Sequence, residues 1–191
     1  FHEINSTESE LILDNDKVEV HTIPLKHRIY TNGFLFKEKK QERKLNMSVI
    51  SKLPEIEICD YQNLKSGKDF KSEDGSIIQN KELTLDPPKP ISYAYCSDTA
   101  YSESILTLIE NVDLLYHEST FLEEHSELAK KTKHSTALEA GKIALKAKVN
   151  KLLLGHYSSR YKNLNLFLEE ANQVFNNSEL AETGKQIEID N

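Results

Sequence analysis

From residue 91 onward the chain alternates short apolar runs with longer amphipathic stretches, and this rhythm restricts the fold more than any other feature. Residues 91–96, 112–116 and 152–154 read as strands. Residues 101–110, 120–130, 136–148 and 162–175 carry helical spacing of apolar side chains. A strand–helix–strand–helix–strand order predicts parallel, buried strands in one sheet. Each of the three strands runs into side chains able to do chemistry: Asp98, then His117 and Glu118, then His156. Open α/β sheets carry their sites beyond the carboxyl ends of the strands, so the three endings predict one shared site.

Upstream, residues 18–25 (VEVHTIPL) alternate and are β-branched, which predicts a strand. Residues 33–38 read as its hairpin partner, with Thr31-Asn32-Gly33 as the turn and His27 between the two. Residues 39–52 are highly charged and then weakly helical. Residues 53–90 hold short pieces: a helix around Tyr61 to Leu64, an Asp74-Gly75 hairpin turn, and the Pro87-Pro88-Lys89-Pro90 run. Residues 187–190 read as a closing edge strand. There is no internal repeat and no low-complexity tract.

Composition narrows the class. A chain of 191 residues, 38% hydrophobic and 29% charged, supports one domain with a core and a solvated surface. No apolar run is long enough to span a membrane. The first residues have neither a basic nor an apolar segment of the secretory kind. The absence of an initiating Met sets the expectation that the chain begins inside a longer protein. Cys59 and Cys96 stand outside any CxxC pattern and read as reduced thiols of a cytoplasmic protein. With 31 Asp and Glu against 24 Lys and Arg, the net charge of -7 argues against a nucleic-acid coat held by bulk charge. A local basic patch beside a metal is compatible with it.

Each candidate residue has a functional and a structural reading. His27, in Pro24-Leu25-Lys26-His27-Arg28, suits a zinc ligand or a solvated loop histidine. Asp98 suits a carboxylate bridging two cations, or a cap for a helix near Tyr101. His117 and Glu118 suit acid–base work, with a helix cap at Ser119 or Thr120 as the alternative. His134 precedes a helix that Ser135 or Thr136 should cap with support from Glu139. A helix N-terminus beside Lys130, Lys131 and Lys133 welcomes a phosphate, although lysine runs are also ordinary solvated faces. His156 follows Gly155, which is read as the residue allowing a sharp turn, and precedes Ser158, Ser159 and Arg160, groups suited to phosphate. His2, His21 and His125 fit no pattern.

Taken in order, these segments resemble the ribonuclease Z family, the tRNA 3′-end endonucleases of the metallo-β-lactamase superfamily. The matching pieces are Pro-Leu-Lys-His-Arg with Gly33-Phe34, Ser-Asp-Thr, His-Glu-Ser-Thr-Phe, Lys-His-Ser-Thr and Gly-His-Tyr-Ser-Ser-Arg-Tyr. Singly they are weak; the ordered set, from about residue 10 to the end, is specific. The resemblance implies an α/β fold in which residues 1–191 form the C-terminal half of an αββα sandwich, a mixed sheet with helices on one face. It implies that His27 binds one zinc, Asp98 bridges two, and His156 binds the other. Glu118 would orient His134, which would serve the scissile phosphate as the catalytic acid. Ser135, Thr136 and Arg160 are the candidates for holding the RNA backbone. The implied partners are precursor tRNA and a second copy in a homodimer, with no membrane. Two departures stand out. Ser119 replaces the alanine of the family's His-Glu-Ala-Thr motif, and the HxHxDH motif that supplies most zinc ligands is absent from these residues. The expectation is therefore an active parent enzyme, with this stretch alone binding zinc weakly and not cutting. Competing readings are another phosphodiesterase of the superfamily, or a non-catalytic docking or dimerisation half.

Overall fold

The computed structural model describes residues 3–189. Residues up to Glu38 and from Ile91 onward form one compact unit, and Lys39–Pro90 form a second. The first unit begins with β1 (Leu11–Asp14), β2 (Val18–Pro24) and β3 (Asn32–Glu38), an antiparallel meander. The second unit holds β4 (Lys44–Leu45), α1 (Met47–Ile50), α2 (Tyr61–Lys65), β5 (Phe70–Lys71), β6 (Ile77–Ile78), α3 (Asn80–Leu83) and β7 (Thr84–Leu85). Its short elements close on a small core of Ile50, Ile56, Leu64, Phe70 and Leu83. The expected Asp74-Gly75 turn joins β5 to β6, with Gly75 in the left-handed region at φ 87°.

The chain re-enters the first unit with β8 (Ser92–Cys96), β9 (Leu114–Glu118), α4 (Ser126–Thr132), α5 (Ala137–Lys146), β10 (Lys151–Gly155), α6 (Asn165–Ala171) and β11 (Ser178–Leu180). The strands form one mixed sheet in the order β1-β2-β3-β8-β9-β10-β11. β8, β9 and β10 are parallel, as the sequence rhythm predicts; β11 adds in parallel to β10, and β3 pairs antiparallel with β8. Thr136 caps α5 and Glu139 completes the capping box.

Strand alternation sorts the two faces. Leu35, Ala94, Cys96, Leu115, Leu152 and Leu154 point into a core with Ala140, Ile143 and Ala144 of α5 and Phe167 and Ala171 of α6. On the other face, register sets Phe36 opposite Tyr93, and Tyr95 beside Tyr116. These pairs stack with ring centroids 5.8 and 4.7 Å apart, and Phe36 and Tyr95 each keep 37% exposure.

Three expectations fail for local reasons. Residues 101–110 form only a 3-10 turn at Glu103–Ile105. Ile105, Thr107 and Ile109 put three β-branched residues within five positions, which weakens a helix. Asn32 and Gly33 are paired within β3, so the turn is the longer loop 25–31. Gly33 is required by packing, since a Cβ there would lie 2.3 Å from the Tyr95 carbonyl oxygen. Residues 187–189 carry no strand, and Asp190 lies outside the described residues. The position beside β10 is filled by β11 instead.

Candidate metal centre

The site lies where the fold places it by rule: at the carboxyl ends of β8, β9 and β10, with the β2–β3 loop and the α4–α5 connection closing over it. Asp98 follows β8, Glu118 ends β9 and His156 follows β10. Asp98 and His156 both adopt left-handed backbone, at φ 56° and 60°. Lys133, the C-terminal cap of α4, does the same at φ 63°. Three of the five non-glycine residues with positive φ among the described residues therefore gather at one place. Such strain persists only where the surroundings hold it, and it collects at functional sites. The turn before His156 does not rest on glycine flexibility, because the positive φ belongs to His156 itself. Gly155 is demanded by close approach: a Cβ there would meet the Tyr116 hydroxyl at 2.2 Å.

Glu118 is the buried centre, with no exposure. Its Oε1 accepts from the Thr99 amide at 2.7 Å and faces His134 Nδ1 at 2.8 Å. Its Oε2 accepts from the Ser135 amide at 3.0 Å and the Thr120 hydroxyl at 2.6 Å. The Thr120 amide adds a longer bond to Oε2 at 3.3 Å, and donors on both oxygens leave no room for a proton, so Glu118 is a carboxylate. Burial pushes its pKa up, but the bonds from His134, Thr120 and Ser135 outweigh that and hold it below the usual value. The bond to Glu118 raises His134 above an ordinary imidazole, against a smaller opposing effect of burial. The pair is part-buried, with Glu118 covered and His134 14% exposed, and each partner favours the charged form of the other.

His156 places Nε2 at 3.2 Å from Asp98 Oδ1 and Nδ1 at 2.8 Å from the Thr120 hydroxyl. Asp98, Glu118, His134 and His156 each offer a ligand atom within 4.8 Å of the others, a group able to hold a metal ion. The four are not equivalent. Glu118 has every lone pair engaged, and His134 is committed to it through Nδ1. Asp98 and His156 are half-exposed and face each other at a separation suited to two ligands of one tetrahedral ion, whose bonds of about 2.0–2.2 Å set neighbouring donors a little over ~3 Å apart. The mixture of imidazole and carboxylate fits zinc chemistry.

His27 stands outside that tight group but beside it. Its ring centroid is 5.1 Å from that of His134, which is 5.4 Å from that of His156. His27 Nδ1 donates to the Lys133 carbonyl at 2.9 Å, so Nε2 is the ring nitrogen left to meet a metal. The loop is fastened below by Ala100 N–H to the Lys26 carbonyl at 2.9 Å. A cavity of about 210 Å³ beside His134 is lined by Lys26, Lys130, Lys133 and Glu139.

The remaining candidates separate. His117 alternates away from Glu118 onto the core face, 1% exposed, with Nδ1 bonded to the Glu118 carbonyl and Nε2 unpartnered. Ser119 bonds Gly155 through its amide and hydroxyl, so the serine in place of alanine ties β9 to β10. Neither it nor Thr120 caps a helix. Ser135 and Thr136 have no exposed surface, with the Ser135 hydroxyl on the Thr99 carbonyl and Thr136 engaged in the α5 cap. Both hydroxyls are thus engaged within the protein. Arg160 is exposed, with its guanidinium 5.9 Å over the Phe121 ring. Sequence reasoning missed Thr120 as a bonding partner of three site residues. Its position two residues past Glu118 was the available signal.

No protein-family model matches the chain. Curated relatives named ribonuclease Z do. One from Porphyromonas gingivalis (strain W83) is 43% identical over 98% of this chain and 62% of its own length. One from Cytophaga hutchinsonii is 46% identical over 95% of this chain and 58% of its own. The chain thus spans about three fifths of the relatives it matches. Among solved structures, a metallo-β-lactamase fold protein from Bacillus subtilis matches with TM-score 0.58 at 20% identity, covering 91% of this chain and 50% of that one. The short form of human tRNase Z matches with TM-score 0.54 at 20% identity, covering 95% and 47%. The chain is a homologue of the ribonuclease Z proteins, built on the metallo-β-lactamase fold.

Proposed function

We propose that the protein carrying this chain is a zinc-dependent endoribonuclease that removes 3′ trailers from tRNA precursors. The observation that carries the reading is the His134–Glu118 ion pair set against Asp98 and His156 in a ribonuclease Z homologue. His27, Asp98 and His156 would hold the metal. Zinc bound there supplies Lewis acidity toward a phosphoryl group and a more acidic water. Glu118 keeps His134 protonated and aimed by its Nδ1, so the other ring nitrogen can give a proton to the departing 3′-oxygen. Lys26, Lys130 and Lys133 offer positive charge to the RNA backbone beside His134, and exposed Arg160 offers a bidentate phosphate contact.

Three ligands are fewer than two four-coordinate zinc ions need. The relatives extend well beyond the aligned part, and in this reading the other ligands come from outside these residues. The protein acts in this reading as a cytoplasmic homodimer. No helix among the described residues is long and apolar enough to cross a membrane.

The test is cleavage of a 3′-extended precursor tRNA by the zinc-loaded, intact protein, beside bis(p-nitrophenyl) phosphate as a generic diester. Trimming at the acceptor end, reduced on the order of a hundredfold or more by His134→Ala, is expected. Hydrolysis of the small diester with no action on the precursor would replace this reading with a general phosphodiesterase.

A further inference from the structure

Thr120 occupies a position that the catalytic reading does not explain. It is 7% exposed, and its hydroxyl touches three site residues: Glu118 Oε2 at 2.6 Å, His156 Nδ1 at 2.8 Å and His134 Nδ1 at 3.3 Å. A hydroxyl has one proton to give. Glu118 already receives an amide on each oxygen and His134 on Oε1, so it can only accept from Thr120. The 2.6 Å separation is that of a hydroxyl donating to a charged carboxylate. Toward His156 the same oxygen must therefore accept, and the ring must carry a proton on Nδ1. Nε2 faces Asp98 Oδ1 at 3.2 Å and is the nitrogen left to meet a metal.

The backbone denies Thr120 another arrangement. Its carbonyl accepts from the Ser158 amide at 3.1 Å, two residues beyond His156, and the Ser119 amide bonds the Gly155 carbonyl at 2.8 Å. The ends of β9 and β10 are fastened together, so the hydroxyl and the His156 ring are held at fixed separation.

We infer that Thr120 is a positioning residue: its hydroxyl, polarised by Glu118, holds a proton on His156 Nδ1 and turns Nε2 toward Asp98 for metal. The acid–base pair and the metal ligand then share one hydroxyl. The inference rests on the metal-centre reading only for the purpose of that orientation; the contact of Nδ1 with the hydroxyl is present without metal.

The experiment reads the imidazole nitrogens of the intact, metal-free protein by ¹⁵N NMR near neutral pH, and then titrates zinc. Wild type should show His156 protonated at Nδ1. Thr120→Val keeps the shape and removes the hydroxyl, so the Nδ1 proton should be lost and zinc affinity should fall by about 10- to 100-fold. Thr120→Ser keeps both roles of the hydroxyl and should restore the Nδ1 proton. A His156 without a proton on Nδ1 in the wild type or in Thr120→Ser overturns the inference, whether or not Thr120→Val folds. A Thr120→Val protein that retains the Nδ1–H form overturns it as well. A protein that takes up no zinc yet loses the Nδ1–H form in Thr120→Val supports the inference while removing the metal reading, so the two fail separately.

Discussion

The Nδ1 nitrogen of His27 lies 2.9 Å from the carbonyl oxygen of Lys133, 106 residues further along the chain. The carbonyl reaches the ring because Lys133 ends α4 in left-handed conformation. A helix terminus thus sets the orientation of a loop histidine, and the backbone strain at Lys133 belongs to that contact.

This strain can be relieved without touching a ligand. A left-handed turn costs a residue with a Cβ about 1–2 kcal/mol, and glycine escapes it. Lys133→Gly should raise stability by roughly 0.5–1 kcal/mol after the larger entropy loss of glycine is counted. Lys133→Val should lower it, because branching at Cβ sharpens the clash. Urea midpoints of the three proteins give the order directly, and a less stable glycine variant would contradict it.

The Glu118–His134 pair predicts a pH window. Glu118 is held below the usual 4.5, so its contribution is present above that value and fades as pH falls through its lowered folded pKa. His134 is raised above 6.5, so its contribution is complete below 6.5 and fades as pH rises through its raised folded pKa. The metal-free protein should gain most from the pair between those limits. Glu118→Gln sets an amide against N–H donors on both sides and should cost about 3 kcal/mol within the window, with a flatter pH profile. Denaturation across pH 4 to 9 (a range chosen as roughly bracketing both groups) measures the difference.

Gly155 should tolerate no side chain. A Cβ would sit 2.2 Å from the Tyr116 hydroxyl and 2.5 Å from its ring carbon. Gly155→Ala is expected to lose about 1–3 kcal/mol and displace His156 next to it. Removing the obstacle in Gly155→Ala/Tyr116→Ala should recover part of the His156 geometry, read by its NMR shifts, although the lost ring has its own cost. No recovery would place the requirement in the backbone instead.

The two thiols should differ in reactivity. Burial pushes Cys96 up to about 12, which leaves almost no thiolate at neutral pH, whereas Cys59 is exposed. A maleimide should label one thiol on the native protein and two after denaturation. Rapid labelling of both in the native state would mean that the core around β8, the central strand, opens readily.

The parallel strands and their reactive endings were legible because burial writes itself as apolar runs and topology fixes which ends face the site. Asp98, Glu118 and His156 came together by that rule alone. His117 does not join Glu118 in the site because neighbouring residues lie on opposite faces of a strand. The burial of Ser135 and Thr136 was not legible, because a capping pattern says nothing about how deeply the cap is buried. The segment 101–110 looked helical because its isoleucines are spaced correctly, and spacing does not report the resistance of branched residues. Contacts such as Lys133 to His27 are carbonyl contacts, which no side-chain pattern records. Thr120 stayed hidden because its importance depends on who else competes for its single proton.

The Glu38 amide bonds the Ile91 carbonyl at 2.9 Å, so the chain leaves and returns to the first unit at one spot. Everything from Lys39 to Pro90 hangs from that spot with a core of its own. During folding, β3 must find β8 across this interval, and the entropy of closing a long loop slows such a search. An interval that condenses early shortens the effective tether between the two strands. Closed at its base by that bond, the interval would let β3 and β8 meet over a short effective tether whenever it condensed first.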